Sequence, residues 1–184
     1  MQSEDLIQSL LDQTRLMINR AEKFKSYELQ ALSWKDHATS WSMLECLEHL
    51  NLYGDYYLPE IKRRISESKS TSDLEFNSGF LGGYLAKSML PKEKLNKMKT
   101  FKDKNPLNSS LDKSAIDRFI DQQQELINLL NASRAVSLNK VRIVTSISSL
   151  IRMKLGDTFQ FLINHNLRHL EQAERAHAAY TRLA

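Results

Sequence analysis

The chain has 184 residues, 41% of them hydrophobic, with a formal charge of +4 and a mean hydropathy of −0.46. That length and apolar content suit one domain over residues 1–184 with a real core, and no run approaches the ~20 apolar residues of a membrane helix. The lone cysteine, Cys46, excludes an internal disulfide, and Glu4 and Asp5 stand where a leader would be basic, so a cytoplasmic location is expected.

Five glycines and three prolines are too sparse for the turns of an all-β fold and favour long helices. Leu6, Leu10, Met17, Ala21 and Phe24 fall on one helical stripe, with Ile7, Leu11 and Ile18 beside it. This spacing predicts a helix over about 4–27. Residues 32–40 read as a linker carrying Trp34, followed by Trp41. Ser42-Met43-Leu44-Glu45 then has the capping-box spacing: Ser42 can accept from the Glu45 amide while Glu45 reaches back to Ser42. Met43, Leu47, Leu50, Tyr57 and Ile61 carry this second helix to about 66, through Pro59, which should kink it or disturb its hydrogen bonding.

Residues 73–111 read as irregular, with Gly79, Gly82 and Gly83 near the start and a short helix over 85–90. So long a stretch without regular structure commonly carries function. Lysines concentrate here at Lys87, Lys92, Lys94, Lys97, Lys99, Lys102 and Lys104. No aromatic interleaving, recognition helix or glycine-rich cradle accompanies them, so they read as a solvated loop, and nucleic acid is disfavoured as a partner. Ile116, Phe119, Ile120, Ile127 and Leu130 predict a third helix over 114–130. In the connection that follows, residues 141–144 have extended character, but no sheet is expected. After Gly156, Asp157 stands as an N-cap with Gln160 as its box partner. The inward stripe of this last helix is Phe159, Leu162, His165 or Asn166, His169, Ala173 and Ala176. The predicted fold is all-α: a four-helix bundle with a long irregular insertion between the second and third helices.

The histidines fall where apolar residues belong. His165 and His169, in His165-Asn166-Leu167-Arg168-His169, are one turn apart on one face and can share a metal ion. His177 is eight residues further, about 12 Å along the axis at ~1.5 Å per residue, too far to join them. His37 sits in a polar linker with nothing to orient it. His49 lies seven residues past the Ser42 cap, and His165 eight past Asp157, so both reach a similar depth if the helix starts lie at one end. His49 is the better third ligand. Three protein ligands leave a coordination position open, as catalytic sites require.

Around these positions, Tyr53 follows His49 by one turn and either lines the site or is a core tyrosine. Cys46 precedes His49 by three residues and either joins the site as thiolate or is a small buried apolar residue. Arg168 either attracts an anionic substrate or is an exposed salt-bridging residue. Glu45 has a structural role in the capping box, and Glu48 points away from His49 into solvent. No acid–base residue for catalysis can be assigned.

These residues resemble the DinB-like (DinB/YfiT) superfamily of metal-binding four-helix bundles. The shared pattern is Trp41-Ser42, Glu45 and His49-Leu50 on the second helix, then His165, His169-Leu170, Gln172 and Arg175 on the last. The middle segment, Gly82-Gly83 through Lys87-Ser88-Met89 to Pro106, is similar too. The resemblance implies that His49, His165 and His169 bind one divalent ion, nickel or zinc foremost. Characterised relatives include transferases using low-molecular-weight thiols such as bacillithiol or mycothiol, and a mycothiol-dependent maleylpyruvate isomerase; homodimers are common. The expected function is therefore a metal-dependent enzyme acting on a small molecule. An activated thiol would make it an S-transferase, and an activated water a hydrolase. The rival is a non-catalytic metal- or ligand-binding bundle of a stress response.

Overall fold

The computed structural model describes residues 1–91 and 100–183. Among them are six α-helices: α1 (Ser3–Phe24), α2 (Leu29–Ser33), α3 (Met43–Ser66), α4 (Phe80–Ser88), α5 (Ser114–Ala132) and α6 (Leu155–Thr181). Two short strands, β1 (Arg142–Val144) and β2 (Arg152–Lys154), precede α6. No described helix is long and apolar enough to cross a membrane. The predominantly helical expectation holds.

Each long helix buries the stripe its sequence marks. α1 turns Leu6, Leu10, Met17, Ala21 and Phe24 inward, and α3 turns Met43, Leu47, Leu50, Tyr57 and Ile61 inward. α1 and α3 each pack against both α5 and α6. At their meeting place Met17, Leu47, Tyr57, Phe119 and Phe159 are all but inaccessible. The interior also holds a polar bridge: Asn166 of α6 donates to Gln123 of α5 at 3.0 Å. Burying two amides costs little when each supplies the other's partner. Asn166 is thus buried beside His165, and the inward stripe of α6 includes both.

The start of α3 is the predicted capping box. Ser42 Oγ accepts from the Glu45 amide at 3.2 Å, and Glu45 Oε2 accepts from the Ser42 amide at 2.8 Å. Together they satisfy two amides that the first helical turn leaves without partners. The helix then runs through Pro59 to Ser66.

Several local expectations are corrected. A small sheet does form. β1 and β2 pair antiparallel in the register Arg142↔Lys154, Ile143↔Met153 and Val144↔Arg152. The pair holds because Ile143 and Met153 face each other into the core while the flanking arginines stay outside. That sheet also changes how α6 begins. Lys154, not Asp157, is the N-cap residue, and no side chain caps the helix. The amides of Leu155 and Gly156 donate instead to the carbonyls of Val141 and Leu138. Asp157 holds α4 in place instead. Its buried carboxylate accepts from Ser78 Oγ at 2.5 Å and the Gly79 amide at 2.9 Å. α4 accordingly starts at Phe80, ahead of the predicted 85–90, because Gly82 lets the helix lie against Asp157. A Cβ at Gly82 would stand 2.5 Å from Asp157 Oδ2. The linker of 32–40 is also shortened at its start by α2, which tucks Leu32 into the core.

Glu48 is not solvated. Its carboxylate accepts from Arg118 of α5 at 3.0 Å, tying α3 to α5. Of the lysine run, residues 92–99 lie outside the described residues. Lys102 and Lys104 belong to a 3₁₀ turn beside α3.

Candidate metal centre

α3 and α6 bring His49, His165 and His169 together. One ligand atom from each lies within 4.8 Å of the others. The ring centroids form a nearly equilateral triangle with sides of 5.0, 4.6 and 4.7 Å. His49 Nε2 and His165 Nε2 are 3.2 Å apart. Two nitrogens on a tetrahedral ion with ~2.1 Å bonds stand about 3.4 Å apart, so this spacing suits a shared cation.

The outer nitrogens show which lone pairs face inward. His49 Nδ1 lies 2.6 Å from the Lys104 carbonyl. A carbonyl only accepts, so Nδ1 carries the proton and Nε2 keeps its lone pair. His169 Nδ1 donates to Gln172 Oε1 at 3.0 Å, with the same result. His165 Nδ1 is buried without a hydrogen-bond partner among the described residues, which leaves Nε2 as its engaged nitrogen. Two of three rings are thus held by outer partners of the kind that orient metal-ligating histidines.

Electrostatics points the same way. Burial, against the raising effect of the Lys104 carbonyl, pulls His49 down to about 4. Burial and the neighbouring His49 pull His169 down to about 3. His165 is held well below its ordinary value, first by burial and then by the other two rings. All three are neutral bases at pH 7, the form that binds a cation.

The triangle opens onto a cavity of about 760 Å³. Tyr53 lines it, its ring 5.0 Å from His49 and 4.6 Å from His165. Burial pushes its phenol up to about 12. Arg168 also lines the cavity and is only 5% exposed, against the ordinary reading of an exposed arginine. Cys46 is not among the lining residues; it is fully buried in the apolar core, with its thiol pushed upward by burial. Glu45 is occupied by its cap, by the Asn108 amide at 2.6 Å and by Lys35 at 3.1 Å. His37 pairs with Asp36 at the cavity rim, and His177 stacks on Tyr27 at 3.9 Å, away from the triangle.

Two contributors were invisible as chemistry in the sequence. The Lys104 carbonyl is a backbone atom that any residue supplies, so no side-chain signal marks it. Trp41 lies 4.6 Å from His49 and 5.6 Å from His169. Its signals are its place in the Trp41-Ser42 pattern of the family resemblance and its position directly before the cap of the helix that carries His49.

A family model described as the DinB superfamily matches residues 10–173. The chain belongs to the DinB superfamily. No curated protein and no solved structure matches it. The matched stretch of this DinB-superfamily chain contains all three clustered histidines and the whole of α3 and α5.

Proposed function

We propose that residues 1–184 form one four-helix bundle that holds a divalent ion, zinc or nickel, on His49, His165 and His169 and acts on a small molecule. One observation carries this reading: three neutral imidazoles converge within 4.8 Å beside a cavity large enough for a metabolite. When bound, such an ion supplies a Lewis acid that lowers the pKa of a thiol or water toward neutrality.

The protein's own residues do the remaining work. The Lys104 carbonyl and Gln172 hold two ligand rings in the required tautomer. Trp41, Tyr53 and Phe161 wall the histidines and limit water. The Tyr53 hydroxyl remains protonated at neutral pH and is a hydrogen-bond donor for negative charge developing on a substrate. The reaction we favour is S-transfer with a low-molecular-weight thiol as co-substrate; hydrolysis is the other chemistry this arrangement suits. A cytoplasmic homodimer completes the reading, and light scattering tests the dimer.

A non-catalytic binding role has one point in its favour. No aspartate or glutamate stands among the described cavity residues to serve as a carboxylate base. The two are separated by assaying metal-loaded protein with a panel of thiols and a chromogenic electrophile, and separately with activated esters. Turnover that disappears on chelation and returns with metal supports the enzyme. Full turnover after complete chelation refutes the metal mechanism, and metal retention without any turnover favours the binder.

A further inference from the structure

Glu45 does more than a capping box asks of it. The box occupies one carboxylate oxygen, Oε2, which accepts from the Ser42 amide. The other, Oε1, accepts from the Asn108 amide at 2.6 Å and from Lys35 Nζ at 3.1 Å. Lys35 also donates to Asn108 Oδ1 at 2.8 Å, so one ammonium bridges both sides of the contact. The carboxylate is thus held at 3% exposure by the cap on one side and a distant loop residue on the other.

The placement of these bonds gives them a second consequence. Glu45 and His49 lie one turn apart on the same face of α3. Their loop partners, Asn108 and Lys104, are also four residues apart. At one end the helix donates, from His49 Nδ1 to the Lys104 carbonyl at 2.6 Å; at the other it accepts, from the Asn108 amide. Two contacts of opposite sense fix the register of the loop against the helix, which one bond alone leaves free to pivot. Asn108 takes a left-handed φ of 64°, a conformation that persists only where the surroundings hold it. The bonds to Glu45 and Lys35 supply that hold. We infer that Glu45 is a positioning residue of the histidine cluster: its Oε1 seats residues 104–108 so that the Lys104 carbonyl meets His49 Nδ1 and the Nε2 lone pair stays turned toward His165 and His169. The inference rests on the metal reading for what that lone pair serves, and on the hydrogen bonds alone for how the ring is held.

The test compares two losses of the same capping box. Glu45→Ala removes both the box and the loop contact, whereas Ser42→Ala removes the hydroxyl half of the box and leaves Oε1 in place. The readouts are the imidazole nitrogen spectrum of isotope-labelled, metal-free protein at neutral pH and zinc affinity against a competing chelator. In the wild type His49 should carry its proton on Nδ1, in slow exchange with solvent. Glu45→Ala should make that proton exchange rapidly and weaken zinc about 10–100-fold. Ser42→Ala should lower the thermal midpoint but leave the slow proton and the zinc affinity as they were. A slow proton and full affinity in Glu45→Ala overturn the inference. So does a loss in Ser42→Ala equal to that in Glu45→Ala, which would make Glu45 a cap and nothing more. Should Glu45→Ala not fold, Asn108→Pro removes the same bond from the exposed loop side, while Asn108→Gly keeps the amide and suits the left-handed φ. The slow proton should vanish in the first and persist in the second, and any other result overturns the inference. A wild-type chain that binds no zinc refutes the metal reading instead, and the exchange of the His49 proton still decides the role of Glu45.

Discussion

Lowering the pH should unfold the metal-free protein through its own candidate ligands. Unfolded histidines titrate near 6.5, whereas His49 and His169 are pulled by burial to about 4 and about 3, with His165 also far below normal. Between those values the unfolded chain binds protons that the folded chain refuses. Stability from this source is therefore fully present above about pH 6.5 and is lost as pH falls toward 4. Each such group contributes a slope of roughly 1.4 kcal/mol per pH unit, so at pH 5 His49 and His169 cost about 2 kcal/mol each and about 4 kcal/mol together, and His165 adds to the loss. Against a typical total of about 5–15 kcal/mol, that loss is a large fraction. Urea denaturation of chelator-treated protein at pH 7.5, 6.5, 5.5 and 5.0 measures it. His165→Phe should make the loss smaller, because one group no longer titrates. Saturating zinc at about a hundredfold excess over Kd should raise the whole curve by about 2.7 kcal/mol without flattening it, since the unfolded histidines still take up protons. A loss under about 2 kcal/mol by pH 5, or an equal loss in His165→Phe, refutes the reasoning.

Three further outcomes are expected. Purified protein should carry a single metal ion per chain by elemental analysis, and the double variant His49→Ala with His169→Ala should carry none; full retention sinks the ligand assignment. Gln172→Leu removes the acceptor for His169 Nδ1, so zinc affinity measured against a competing chelator should fall about 10–100-fold with little change in fold. Gly82→Ala drives a methyl against Asp157 across the α4–α6 contact, so the urea midpoint should drop by the equivalent of about 1–3 kcal/mol, visible as a shift in thermal unfolding.

The long helices were legible because each writes its burial at helical spacing, and the Ser42–Glu45 box fixed one end of α3 to the residue. The histidine cluster was legible for the same reason: two histidines one turn apart on one helix, and a third on the inward face of another. The cap of α6 is Lys154, three residues before Asp157, so His165 lies eleven residues past its cap against seven for His49; the two rings meet without the equal depths that an Asp157 cap implies. What sequence spacing could not reveal were contacts between distant segments. Asp157 looked like a cap because its chemistry suits one, but its partners, Ser78 and Gly79, lie 79 and 78 residues away. Arg168 looked exposed because arginine ordinarily is, and only the packing of the cavity shows its burial. The three-residue strands were too short to establish a period of two.

The bond from His49 to the Lys104 carbonyl has an evolutionary consequence. The ring is steadied by the path of the main chain, and the Glu45 carboxylate grips that same path again at the Asn108 amide. Lys104 can therefore change identity without loosening the ring, while an insertion or deletion between residues 100 and 108 would shift the acceptor. Related chains that keep such a site should vary freely in letters across this turn and hardly at all in its length.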